Sequence, residues 1–188
     1  DKFIERGGIY DWKTKKSFPE KLTLSGYVGS GKTTLGKLLA KKLQYNFISI
    51  GNRTREFAGN KGMTIVEFQK YCLANPEMDK QLDQDFSKVC NSSENLVIDY
   101  RLGFKFIKNS YHIFLRISET AAIERLKTAN RAKESYDTIN QRNESFKNQF
   151  LNSYGVDYTM PKNYDLVIDV ERFNNAEEII EHILHEIG

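Results

Sequence analysis

Short apolar runs recur along this chain, and between them the apolar positions fall three and four apart. The runs are Leu22–Ser25, Phe47–Ile50, Leu96–Ile98, Ile113–Ile117 and Leu166–Ile168. Runs of three to five residues that do not alternate with polar ones fit strands covered on both faces. The first is expected to end at Gly26 and the second at Gly51. After the first, Leu35, Leu38, Leu39 and Leu43 mark one face of a helix. The stretch 52–90 reads as helical, with Thr64 and Glu67 spaced as a capping box. Asn75 and Pro76 there give a cap followed by a proline at the first helical position. Ser118 or Thr120 caps the helix after the fourth run. A long helix over 136–154 is predicted from Tyr136, Ile139, Asn143, Phe146 and Phe150, and a final one from Ile179, Ile180, Ile183 and Leu184. Strands alternating with helices predict an α/β domain in three layers, a five-stranded parallel sheet flanked by helices.

Residues 1–20 break this pattern. They show no period and contain Gly7, Gly8 and Pro19. An N-terminal arm or linker is expected there, with Tyr10 and Trp12 docking it onto a domain over 21–188. A length of 188 residues suits one such domain. Apolar content of 39% is near the globular average, which excludes general disorder. The net charge is +3 with acids and bases interleaved, so a nucleic-acid polymer is not the expected partner. No apolar run nears the roughly 20 residues of a membrane span, so no membrane partner is expected either. Cys72 and Cys90 belong to no Cys-x-x-Cys or Cys/His cluster. Free thiols and a cytoplasmic location follow as expectations. The chain opens on Asp1 rather than Met, which suits one domain of a longer protein, and a monomer is expected.

The chemistry begins at residue 26. Gly26, Gly31, Lys32 and Thr33 occupy every fixed position of G-x-x-x-x-G-K-[ST]. Gly29 and Gly31 let the backbone turn so that successive N–H groups point inward at phosphate oxygens. The helix starting near Lys32 adds its positive end. A nucleotide site over Gly26, Gly29, Ser30, Gly31, Lys32, Thr33 and Thr34 is therefore expected, for ATP with Mg²⁺. Lys32 reaches the β- and γ-phosphates, and the Thr33 hydroxyl ligates the metal. The match lies between an apolar strand and an amphipathic helix, the context this motif requires. An Asn-Lys-x-Asp guanine-reading motif does not occur in the sequence, so a phosphoryl-transferring kinase is preferred over a GTPase.

Six further stretches carry a family resemblance: IGNRTREF (50–57), KGMTIVEF (61–68), NPEMD (75–79), NLVIDYRLG (95–103), YGVD (154–157) and YDLVID (164–169). In this order the chain resembles the nucleoside-monophosphate kinases, and more closely the archaeal-type cytidylate kinases. The resemblance spans about 22–187. It implies phosphoryl transfer from ATP to a small-molecule nucleotide, CMP or dCMP foremost. It also implies an acceptor-binding insert over 52–90 and a lid over about 127–142. Gly51, Arg55, Asp99 and Arg101 would bind the acceptor, with Asp99 also organising Mg²⁺ through water. Lys32, Arg101, Arg125 and Arg142 would surround the transferred group. Arginine's planar fork suits phosphate oxygens, and the attacking phosphate oxygen, already anionic, needs no strong base.

Several positions depart from that family pattern. Tyr100 stands where a glycine usually allows close approach, Asn52 replaces an acid, and Arg116 replaces an acid or small polar residue. In the lid, Ala129 and Gln149 occupy expected arginine positions, with Arg131 and Lys147 as the cations that would complete it. These departures keep two alternatives open. One is a P-loop kinase for another small phosphorylated or hydroxyl metabolite, and the other is a nucleotide-binding regulatory module with a degenerate lid.

Overall fold

Each apolar run becomes a strand in the computed structural model, which describes residues 18–128 and 136–188. The strands are β1 (Lys21–Gly26), β2 (Asn46–Ser49), β3 (Leu96–Asp99), β4 (Tyr111–Arg116) and β5 (Leu166–Asp169). All neighbours pair in parallel, in the order β2-β3-β1-β4-β5. β1 and β3 are buried along their whole length. A central parallel strand is covered on both faces, which is why these runs do not alternate. The connections are α1 (Lys32–Leu43), α2 (Ile50–Asn60), α3 (Ile65–Ala74), α4 (Pro76–Asn91), the short α5 (Gly103–Phe106), α6 (Glu119–Thr128), α7 (Tyr136–Tyr154) and α8 (Ala176–Ile187).

Two apolar layers sandwich the sheet. One joins α1, α6 and α8 to it through Leu35, Leu39, Ala122, Ile180 and Ile183. The other is aromatic, built from Phe86, Tyr100, Phe114, Phe150 and Tyr158. A smaller cluster of Ala58, Phe68 and Cys72 holds α2, α3 and α4 together as the insert. Cys72 and Cys90 are free and buried. Among the described residues no helix is long and apolar enough to cross a membrane.

The local signals resolve in detail. Thr64 and Glu67 form the full capping box at the start of α3. Ser118 rather than Thr120 caps α6, its hydroxyl accepting from Ala121 N at 3.2 Å. Pro76 opens α4, but the Asn75 side chain donates back to Tyr71 O instead of capping forward. Gly51 does not stop β2. The chain passes from extended Ser49 straight into α2, so Ile50 and Gly51 form its first turn. β4 begins at Tyr111, two residues before the apolar run, because pairing with β1 extends to Leu22↔Tyr111. The expected docking of Tyr10 and Trp12 lies outside the described residues.

Candidate functional site

β1 lies inside the sheet, between β3 and β4, and its C-terminal end is where open α/β folds place ligands. Gly29 and Gly31 leave it with φ of 82° and 90°, a left-handed backbone in which side chains are strained. Space forbids a side chain as well: a Cβ on Gly29 would lie 2.9 Å from Ala122 Cβ on α6. Gly31 is the N-cap of α1, with no side-chain cap and no acidic residue in the first turn. The opening amides of α1 thus receive no acceptor from a cap, the arrangement that binds anions at helix starts.

Other elements brace this loop. The Val28 amide donates to Asn143 Oδ1 on α7 at 2.9 Å. Arg125, from the end of α6, donates to Ser30 O at 3.4 Å. Arg101, two residues past β3, donates through Nε to Gly26 O at 3.2 Å. Its guanidinium carbon lies 3.9 Å from the centre of the Phe146 ring on α7, a stack that fixes the plane of the fork. The Thr33 hydroxyl donates to Asp99 Oδ2 at 3.2 Å, and Asp99 is buried at the end of β3.

The electrostatics follow from this crowding of cations. Burial, with Arg101 and Arg142 close by, depresses the Lys32 ammonium to a pKa of about 7, only partly opposed by Asp99. Burial likewise lowers the pKa of Arg101. A cradle this rich in confined positive charge is stabilised by an incoming polyanion. The hydroxyl of Thr33 and the carboxylate of Asp99 are hard oxygen donors, the kind Mg²⁺ prefers, and they fit it. Among the described residues no group of three or more His, Cys, Asp or Glu could hold a metal ion. Water and phosphate oxygens would complete the shell, as Mg²⁺ sites commonly require.

One cavity of about 850 Å³ joins the loop to the insert. Of the residues expected from sequence, it is lined by Gly29, Gly31, Lys32, Thr33, Thr34, Gly51, Arg55, Asp99, Arg101, Arg125 and Arg142. Gly26 and Ser30 lie behind its wall. Ser30 is fully buried, its amide donates to Tyr27 O, and its hydroxyl has no partner among the described residues. Gln149 faces the cavity.

The remaining departures separate by location. Tyr100 belongs to the cavity wall, with its ring buried in the aromatic layer and its hydroxyl donating to Asp83 Oδ1 at 2.7 Å. Asn52 Oδ1 accepts from Arg55 Nη2 at 2.5 Å and orients that arginine. Arg116 pairs with Asp169 at 2.7 Å across β4 and β5, a link between strand ends. Lys147 does not line the cavity and pairs with Asp157 at 3.8 Å. Ala129 and Arg131 lie outside the described residues, as does 129–135 of the expected lid. Sequence reasoning missed Gln69, Asp79, Asp83 and Phe146 on the cavity wall, and the bracing role of Asn143. Helical spacing on α4 places Asp79 and Asp83, four residues apart, on one face, and Asp79 closes the stretch NPEMD (75–79).

A family model described as the cytidylate kinase-like family matches residues 21–172. A cytidylate kinase of Archaeoglobus fulgidus is 33% identical over 171 residues, covering 89% of this chain and 94% of that protein. An S-adenosylmethionine-dependent nucleotide dehydratase of Lacinutrix mariniflava is 49% identical over 168 residues, covering 86% of this chain. The chain spans only 35% of that relative's length. Among solved structures, shikimate kinase from Bacteroides thetaiotaomicron superposes with a TM-score of 0.62 at 20% identity. The match covers 88% of this chain and 96% of that one, and it supports the fold.

Proposed function

Because the chain belongs to the cytidylate kinase-like family, we propose that it transfers the γ-phosphoryl group of ATP to a nucleoside monophosphate, CMP or dCMP foremost. The observation that carries this reading is the single cavity in which Lys32 and Thr33 share walls with Arg55, Asp99 and Arg101. A phosphate cradle alone would serve any nucleotide binder. A cradle opening directly onto a second cationic wall holds two phosphorylated ligands end to end.

In this arrangement the loop amides and Lys32 hold the ATP phosphates, while Arg55, oriented by Asn52, holds the acceptor phosphate. An acceptor phosphate oxygen bonds to the γ-phosphorus as the bond to the β–γ bridging oxygen breaks, leaving ADP. Arg101, Arg125 and Arg142 spread positive charge around the transferred group, where charge stabilisation supplies most of the catalysis. Mg²⁺, held by Thr33 and through water by Asp99, would neutralise the β- and γ-oxygens.

The test is a coupled ADP-release assay across the nucleoside monophosphates with Mg²⁺ and ATP. Stimulation by CMP or dCMP that disappears in Lys32→Ala is the expected result. Slow ATP hydrolysis indifferent to every monophosphate refutes the reading. A second reading is favoured by the nucleotide dehydratase relative, of which this chain spans about a third. There the kinase is one portion of a longer protein and phosphorylates the nucleotide that a dehydratase portion accepts or releases. Turnover with a dehydrated nucleotide and none with CMP would support that alternative.

A further inference from the structure

The acceptor half of the cavity is polarised. Arg55 on α2 and Arg101 just past β3 line it together with Asp79 and Asp83, four residues apart on α4. Asp83 is held from both sides. The Tyr100 hydroxyl donates to Oδ1 at 2.7 Å, and the Tyr154 hydroxyl, from the end of α7, donates to Oδ2 at 2.6 Å. The tyrosines are themselves wedged: Tyr100 meets the edge of Phe86 at 5.0 Å, and Tyr154 meets Phe106 at 5.1 Å. A carboxylate has about four lone-pair directions, so each oxygen keeps one acceptor position after binding its tyrosine. Asp83 is only half-buried and lines the cavity.

A purely structural tie between two phenols and a helix does not require an acid. An amide would serve without the cost of desolvating a charge. Burial does push the Asp83 carboxyl above the usual range, even though both hydroxyl bonds oppose the shift. Asp79, also raised by burial, sits beside it on the same wall.

We propose that Asp83, clamped by Tyr100 and Tyr154, selects acceptor bases bearing an exocyclic amino group by accepting a hydrogen bond from that group. This rests on the monophosphate-kinase reading and adds a base-selecting residue to it. Asp83 lines the same cavity as Arg55 and Arg101, so an acceptor whose phosphate those arginines hold can bring its base to the remaining acceptor positions of Asp83. Cytosine presents an N4 amino donor there. Uracil presents the O4 acceptor in the same place, setting oxygen against oxygen with no proton between them. A site built around such a bond discriminates strongly, because the mismatched ligand leaves a desolvated group unpaired.

The test compares CMP with UMP, which have nearly the same shape. It uses kcat/KM with saturating ATP and Mg²⁺, and equilibrium binding by calorimetry without ATP. Wild-type protein is expected to favour CMP by at least about tenfold. Asp83→Asn, whose amide can donate to O4, should lower the CMP:UMP ratio at least about tenfold. Tyr154→Phe, which keeps the carboxylate and frees one oxygen, should lower it by a smaller factor. A ratio unchanged in both variants, or a wild-type preference for UMP, overturns the proposal. If Asp83→Asn does not fold, Tyr154→Phe decides. Wild-type protein that binds CMP over UMP but transfers to neither supports base selection and refutes the kinase reading. Equal binding and equal turnover of the two refute base selection alone.

Discussion

Binding of the nucleotide should draw a proton onto Lys32, and the size of that uptake follows from the empty site. Without nucleotide the ammonium has a pKa of about 7, set by burial and by Arg101 and Arg142. A triphosphate against it replaces lost hydration with negative charge and returns it to full protonation. The uptake is then the fraction deprotonated in the empty site. That fraction is about 0.1 proton at pH 6, about 0.5 at pH 7 and above about 0.9 at pH 8.5. Calorimetric titration with an ATP analogue, in paired buffers of different ionisation enthalpy, reads this number directly. The pH 8.5 measurement is decisive, because the phosphate oxygens are fully ionised there in both states. Lys32→Arg keeps its charge at every pH and should abolish the uptake. An observed enthalpy independent of buffer at pH 8.5 would refute the claim that the surrounding cations and burial hold Lys32 down. The same shift affects stability with a definite sign. The folded pKa lies below the unfolded value, so the unfolded chain binds the extra proton. Stability from this group therefore rises with pH from about 7 toward the ordinary lysine value.

Three further outcomes are expected. Gly36→Ala on α1 would place a Cβ 2.5 Å from Phe47 Cε1, overpacking the contact between α1 and β2. It should cost about 1–3 kcal/mol in denaturant melts, and unchanged stability would show that Phe47 can swing away. Asn143→Ala leaves the buried Val28 amide without its acceptor, a loss of about 1–3 kcal/mol; it should weaken ATP binding in a titration, and wild-type affinity would contradict the bracing role. Arg101→Lys keeps the charge but loses the Phe146 stack and the fork. A fall in kcat of about 10²–10³ with little change in the KM for ATP is expected in steady-state assays; full kcat would remove Arg101 from the transfer step.

What the sequence disclosed depended on how local each signal was. The phosphate loop was legible because its groups are consecutive in the chain and its glycines are required by backbone geometry alone. The capping box at Thr64 and Glu67 was legible for the same reason. Gly51 misled because a glycine after an apolar run resembles a strand stop, whereas the chain enters α2 directly and the glycine sits in its first turn. The Asp83 clamp was not legible. Its partners lie 17 and 71 residues away, and they meet only when α4, the end of β3 and the end of α7 pack together. Tyr100 shows the same limit, since its place in the aromatic layer and its bond to Asp83 are made with residues distant in the chain. Lys147 counted as a spare lid cation until Asp157 was found beside it.

The helix α7 touches the phosphate loop through Asn143, Arg101 through Phe146 and the insert through Tyr154. One rod of backbone thus meets the phosphate loop, Arg101 and the carboxylate that lines the far part of the cavity. Residues 143 and 154 are tied by continuous helical backbone, so the contact with the loop and the contact with Asp83 share one rigid element. By linkage, any factor by which ATP raises affinity for the acceptor is the factor by which the acceptor raises affinity for ATP. A substitution anywhere along that face should alter both affinities together rather than one of them.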